Sequence, residues 1–435
     1  MRLLLAFLFI SNLLFAQQTL LQSGPMVGYS EMKEVQLWIQ TKETAKVKIG
    51  YWEKGFPKTK WYTKDLLTTD QFAFSAKLIA DKVLPGKKYE YEVYINSKLL
   101  KFSYPLEFQS QTLYQHRFNA PDFIFALGSC TYVNDSINDR PGTPFGGGYE
   151  IFGSIYQKKP DFMLWLGDNL YLREPDWNTR TGIYYRYTHS RSLPELQPML
   201  ANMHHYAIWD DHDYGPNDGD RSFWNKKITE EAFNNFWCNP NTNQTGKGGI
   251  TGTFSWNDCQ FFIMDDRWFR SPNSRTDDRT YLGSEQIEWL IDAMVFSKAT
   301  FKFVCIGGQV LNPVGSKEKY SLYLEELNKL LKAIEDAKIP GVVFFSGDRH
   351  HTELTKLPRN NSYPLYDLTC SPLLSRVNPH DEPNYLREQR TVVREKNFGT
   401  IKVEGEPENR KMTMTIFNSK GEKLWDREIK AKELK

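Results

Sequence analysis

Six short apolar runs in this chain each end in residues that can bind a metal or move a proton. Residues 123–127 lead to Gly128-Ser129-Cys130, and residues 162–166 lead to Gly167-Asp168-Asn169-Leu170-Tyr171. Residues 206–209 lead to Asp210-Asp211-His212-Asp213, and residues 261–264 to Asp265-Asp266-Arg267. Residues 301–306 are followed by Gly307-Gly308-Gln309, and residues 341–345 by Ser346-Gly347-Asp348-Arg349-His350-His351. In α/β sheets, ligands collect at the carboxyl ends of the strands. A carboxylate, imidazole, thiol or amide arriving at nearly every such end therefore points to a single site.

Taken singly, each string also has a plain structural reading. A lone Gly-Asp after a strand caps a helix, a His-His pair sits on a surface, and residues 210–213 form a solvated acidic turn. Tyr171 reads equally well as a buried aromatic whose hydroxyl bonds a carboxylate. Together, so many like charges at one edge repel unless cations neutralise them. The chemistry expected is that of a multinuclear metal site.

Such ends need a sheet to carry them. The apolar runs are four to six residues long and alternate with segments of helical periodicity at 149–158, 284–294 and 320–337. Short continuous apolar runs fit strands buried on both faces and covered by helices, which is an α/β layered domain. The tail, residues 399–430, returns to strands around the turn Ser419-Lys420-Gly421 and is expected to finish a sheet edge. Residues 18–113 read differently. Segments 35–41, 45–53, 71–79, 88–96 and 99–108 alternate, separated by turn formers such as Gly55-Phe56-Pro57 and Pro85-Gly86. That spacing predicts a small all-β immunoglobulin- or fibronectin-like sandwich. It holds no cluster of acids, histidines or cysteines, so its expected role is packing or shaping the substrate side. The loop from 213 to 249, rich in Asn and Gly, has no strong pattern and is a candidate lid.

Composition sets outer limits. With 435 residues, 40% hydrophobic and 25% charged, the chain suits two soluble globular domains. A net charge of +2, from 55 basic and 53 acidic residues, gives no support for a nucleic-acid partner held by bulk electrostatics, and nothing points to a protein partner. Arg2 precedes an apolar run over residues 3–16 that is too short to span a bilayer and has the proportions of a secretory signal peptide; the bland alternative is a buried N-terminal strand. No other segment is long and apolar enough to cross a membrane, so no transmembrane segment is expected. The domain boundaries expected are a leader at 1–16, the sandwich at 17–115 and the catalytic domain at 116–435. Export to a periplasm or to the exterior follows from that leader. Five cysteines, at 130, 238, 259, 305 and 370, leave at least one unpaired. Cys259 and Cys305 lie in or beside apolar runs and read as ordinary buried residues.

The order Gly-Asp-x-x-Tyr, Asp-His-Asp, Gly-Asp-x-His resembles that of the calcineurin-like metallophosphoesterases. More narrowly, Gly128-Ser129-Cys130, the string 167–171, residues 209–218 and the string 346–351 are similar to the PhoD-like (alkaline phosphatase D) family, over about residues 122–420. The resemblance implies a four-layer metallophosphoesterase β-sandwich flanked by helices, and the N-terminal sandwich fits the family's domain order. It implies that Asp168 bridges two metals, that Tyr171 is a tyrosinate ligand of a ferric ion, and that Cys130 is an iron-binding thiolate. Asp211 stands where the wider superfamily has an Asn, and its extra charge suits a hard cation such as calcium. His212 follows as the proton donor, oriented by Asp213. Asp348 and His350 match the last ligand pair, with Arg349 between them as a phosphate contact; apart from the resemblance, Arg267 is a second candidate to hold the phosphoryl group through its planar donors. Asn217 and Asp218 are further oxygen ligands.

Ligand chemistry supports the same metals. A free tyrosine ionises only near pH 10, a proton cost that a trivalent ion offsets far better than a divalent one. Tyr171 with Cys130 therefore favours Fe(3+), and the all-oxygen positions favour Ca(2+); Zn, Mn or Mg are the alternatives. Two departures bear on the transfer: Gln309 stands where many members have a histidine, and the twin-Arg export signal of some relatives is absent. The function implied is phosphate mono- or diester hydrolysis by metal-activated hydroxide attacking phosphorus in line. The rival readings are a phospholipase or nuclease on the same metals, or a non-catalytic metal-stabilised binding protein.

Overall fold

The computed structural model describes residues 20–316 and 318–435, so the leader expected at residues 1–16 lies outside the described residues. The chain divides into two compact units. The first runs to Leu113 and also takes in residues 191–205 and 235–238; the second holds residues 114–190, 206–234 and 239–435. Those two later segments of the first unit had no signal in the sequence.

In the first unit Val35–Thr41 pairs antiparallel with both Leu21–Ser30 and Ser75–Ala80. A second sheet is built on the antiparallel pair Lys46–Glu53 and Lys88–Ile95, with Glu107–Gln109 beside the latter. Alternation explains the arrangement. Lys88–Ile95 buries Tyr89, Tyr91, Val93 and Ile95 and turns the residues between them outward. Leu37, Ile39 and Leu78 of one sheet meet Val47, Ile49 and Val93 of the other in a shared core, so the unit is a sandwich. Leu21–Ser30 escaped the pattern reading because Gly24-Pro25 mimics a turn. Its register against Val35–Thr41 shifts between Leu21 and Ser23 and again before Met26, and these irregularities absorb a proline that cannot donate to the ladder. Segment 99–108 keeps only Lys98–Leu99 and Glu107–Gln109 extended.

One histidine of this unit is locked neutral by its partners. The Gln109 N–H, which can only donate, faces His204 Nε2 at 3.2 Å, and the Gly28 carbonyl, which can only accept, faces Nδ1 at 2.7 Å. Burial lowers its pKa to about 4. The folded value lies below the unfolded one, so the stability it contributes is complete above pH 6.5 and is lost as pH falls through about 4. The shift corresponds to about 3 kcal/mol. His204→Gln should therefore flatten part of the fall in melting temperature between pH 6.5 and 4; an unaltered slope would refute the locked tautomer.

The second unit is built on two sheets. In one, Phe123–Gly128 lies parallel to Phe162–Leu166, with His204–Ile208 next in order, and the tail adds Asn397–Glu404, Lys411–Asn418 and Lys423–Lys430 outward to the edge, as its pattern suggested. In the other, Cys259–Ile263, Phe301–Cys305, Val342–Ser346 and Ser362–Thr369 run parallel, with Gly252–Trp256 and Glu353–Arg359 antiparallel at the two edges. All six apolar runs are strands. Phe125 stacks on Phe162 at 4.8 Å within its own sheet and meets Phe261 and Phe303 of the other sheet edge-on at 5.2 and 5.7 Å, so aromatic faces join the two layers.

The helix Leu324–Asp336 buries Leu327, Leu330 and Ile334 on one stripe, preceded by a 3-10 turn at Tyr320–Tyr323 where the sequence suggested helix throughout. The patternless segment 213–249 contains a helix, Lys226–Phe236, that the sequence reading missed. No helix among the described residues is long and apolar enough to cross a membrane.

Candidate active site

A cavity of about 520 Å³ opens at the carboxyl ends of these parallel strands. Asp168 enters it after Phe162–Leu166, Asp211 and His212 after His204–Ile208, and Asp348, Arg349 and His350 after Val342–Ser346. The turns that deliver them are tight. Gly167 has φ +86°, and a Cβ there would meet the Asp210 Cβ at 2.7 Å. Cys130, Asp168, Asp348 and His350 all adopt positive φ, at 60°, 50°, 66° and 54°. Each such non-glycine conformation costs about 1–3 kcal/mol and persists only where the surroundings enforce it, as at functional sites. Here the Thr131 N–H bonds the Asp168 carbonyl at 2.7 Å and the Gly347 N–H bonds the Gly307 carbonyl at 2.7 Å.

The side chains converge. Asp168 Oδ2 lies 3.5 Å from Cys130 Sγ and accepts the Tyr171 hydroxyl at 3.1 Å, while that hydroxyl lies 3.2 Å from His350 Nε2. Ser371 donates to Cys130 Sγ at 3.1 Å and Ser375 to the Tyr171 oxygen at 2.9 Å, which orients both ligand atoms. Among the described residues, three groups bring their ligand atoms within 4.8 Å of one another: Cys130, Asp168 and His350; Asp168, Asp211 and His212; Asp210, Asp211 and Glu318. Asp168 and Asp211 are each shared by two groups, the arrangement that bridging requires.

The donor set fits cations better than it fits itself. Burial pushes the Cys130 thiol up to about 12. Burial, and then the neighbouring Asp211, hold Asp168 well above the carboxylate range; burial and Asp168 do the same to the Tyr171 phenol. Contact with Glu318, then burial, raises Asp218 to about 8, so these two carboxyls can coexist only with a proton or a cation between them. Asp211 Oδ1 and His212 Nδ1 are buried and make no hydrogen bond. Metal ions would ionise the first set and satisfy the second.

A family model described as PhoD-like phosphatase matches residues 125–415, more than half of the chain. The chain belongs to the PhoD-like phosphatase family. Its fold is that of the metallophosphoesterases. A solved structure of PhoD superposes with a TM-score of 0.73 at 15% identity, covering 93% of this chain and 91% of that one. A purple acid phosphatase from yellow lupin (Lupinus luteus) seeds superposes with a TM-score of 0.65 at 10% identity, covering 93% and 74%. A search of curated protein sequences returned no match. Family membership and the ligand clusters together support a metal-dependent phosphoesterase.

Several residues of this PhoD-like site sit elsewhere than their strings suggested. Arg267 is fully buried and does not line the cavity; it donates to Asp210 at 2.6 Å and to Glu318 at 2.6 Å, neutralising acids from behind. Arg349 does line the cavity, but its guanidinium is held by Asp348 at 2.9 Å and by Glu382 at 2.5 Å. Asp213 does not orient His212: its carboxylate accepts the N–H groups of Asn169 and Asp210, each at 3.0 Å. Gln309 is buried against Glu353 and Thr369, at 2.8 and 2.9 Å, and does not line the cavity. Asn217 lines the cavity and donates to Asp218 at 2.7 Å, while the Asp218 N–H bonds Asp211 Oδ2 at 2.8 Å. Glu318 is the acid the sequence reading missed; it follows no apolar run.

Proposed function

We propose that this chain is an exported phosphoric ester hydrolase, acting on phosphate mono- or diesters with Fe(3+) and Ca(2+) at the strand-end cavity. The observation that carries the reading is the convergence of Cys130, Asp168, Tyr171 and His350. A thiol, a phenol, an imidazole and a carboxylate suit a ferric ion, whereas Asp168, Asp211, Asp348 and Asn217 offer the oxygens that calcium prefers. When bound, such cations neutralise phosphoryl oxygens and make water acidic. The apolar run at residues 3–16 supports export.

The remaining work falls to the protein. His212 lines the cavity, packs on the Tyr171 ring at 4.2 Å and lies 4.0 Å from Asp211 Oδ2. In that position it delivers a proton to the leaving alkoxide. Arg349 holds Asp348 in place. Phosphoryl transfer depends mainly on positioning and charge stabilisation, so little else is needed.

The test is hydrolysis of nitrophenyl phosphate and of bis-nitrophenyl phosphate, with and without a chelator. Chelator-sensitive turnover is expected, and the ratio of the two rates separates monoesterase from diesterase. No turnover of either by protein shown to contain iron and calcium would overturn the reading.

A further inference from the structure

Two of the arginines near the acids are already committed to carboxylates, and a third is not. Arg173 sits two residues beyond Tyr171, is 5% exposed, and lines the same cavity. Its guanidinium carbon lies 5.3 Å from the Tyr171 ring centre, 4.8 Å from that of Tyr132 and 5.6 Å from that of Phe145. One edge is braced: Nε donates to the Tyr132 hydroxyl at 3.2 Å, and that hydroxyl donates to Asp139 at 2.5 Å. The backbone is braced as well, its N–H bonding Asp176 at 2.8 Å. The adjacent acid, Glu174, is taken by Arg140 at 2.6 Å. Among the described residues no salt bridge involves Arg173, and its two terminal nitrogens have no acceptor. A buried, always-charged fork fixed by aromatic stacking, with donors left over toward an acid-lined cavity, lacks one thing: an anion of matching geometry.

We propose that Arg173 contacts the substrate, its Nη1 and Nη2 donating to non-bridging oxygens of the phosphoryl group. This takes over the contact that the sequence assigned to Arg349 and Arg267, and it rests on the phosphoesterase reading above. The cation–π contact with Tyr171 places the fork beside the phenol that also packs on His212, so one side of the phosphoryl group meets the guanidinium while the acids and their cations hold the other. A monoester dianion uses both donors fully. A diester, with one charge fewer, uses them less.

The test is equilibrium dialysis of inorganic phosphate against the full-length, metal-containing protein and its Arg173→Gln and Arg173→Lys variants, with metal content measured on each. Losing the charged hydrogen bonds in Arg173→Gln should weaken phosphate binding about 10–100-fold at unchanged metal content. Arg173→Lys, a point charge without the fork, should fall between, and it decides alone if the glutamine variant does not fold. In turnover, the KM for the monoester should rise more than that for the diester. Wild-type phosphate affinity in both variants, no phosphate binding by the wild type, or loss of metal together with phosphate would each overturn the proposal. Phosphate binding that weakens as expected, in a protein that hydrolyses neither ester, would instead sustain Arg173 and overturn the phosphatase reading.

Discussion

Asp168→Ala should lose iron and lower turnover on the order of 10³-fold or more, since the substitution removes the only carboxylate shared by the thiol–imidazole group and the Asp211–His212 group. Its Oδ2 faces both Cys130 and Tyr171, and its Oδ1 accepts the His212 N–H at 3.3 Å. Without it, Cys130 and Tyr171 lose the carboxylate between them; the phenol is relieved of the Asp168 charge, but burial, the largest cause of both raised values, still favours the protonated forms. A protonated thiol and a neutral phenol are poor ligands, so metal loss should spread beyond the deleted side chain. Elemental analysis beside a nitrophenyl phosphate assay reads both effects. Retention of iron and activity together would remove Asp168 from the centre of the site.

The second large effect is selective. His212→Ala should cut hydrolysis of alkyl phosphates by about 10²–10⁴-fold, the range for loss of a general acid, while nitrophenyl phosphate, whose leaving group needs no proton, should fall far less. His212 Nδ1 is buried without a partner and Nε2 points along the acidic wall, so the ring is poised rather than tied down. The same ring also belongs to one of the ligand clusters. A uniform loss across leaving groups, accompanied by loss of metal, would make His212 a ligand instead of a donor.

The parts of this site that were legible in the sequence share one physical origin. A strand buried between layers is a continuous apolar run, and the residues just past its carboxyl end must stand at the sheet edge. That is why Cys130, Asp168, Asp211 and Asp348 could be placed at that edge without coordinates. The glycines of the turns were equally readable: a Cβ on Gly307 would meet Asp210 Cγ at 2.6 Å, and one on Gly347 would meet the Leu166 carbonyl at 2.5 Å. Glu318 follows no strand. It arrives through the loop before the 3-10 turn Tyr320–Tyr323, held by the bond from the Tyr320 N–H to the Gln309 carbonyl at 2.9 Å. Nothing periodic marks it.

Arginine roles were illegible for a different reason, since residue type shows that a guanidinium seeks an anion but not which anion it finds. Arg267 found Asp210 and Glu318; Arg349 found Asp348 and Glu382; Arg173, unremarked beside Tyr171, was left facing the cavity. The left-handed backbone at Cys130, Asp168, Asp348 and His350 was also hidden, because only a few per cent of non-glycine residues adopt it, and the enrichment of Asp and His there marks no single position. The first unit shows the converse: Gly24-Pro25 is a turn-forming pair by residue type, yet the strand Leu21–Ser30 runs through it.

The central proposal is that Cys130, Asp168, Tyr171 and His350 together hold a ferric ion. Its most direct test is the visible absorption of the purified protein and of Tyr171→Phe, read beside their iron content. A phenolate on Fe(3+) gives a charge-transfer band; the wild type should contain stoichiometric iron and be coloured, and the Phe variant should lose the band. An iron-containing wild type whose spectrum is unaltered in Tyr171→Phe, or a colourless wild type that hydrolyses phosphate esters without iron, would contradict the account.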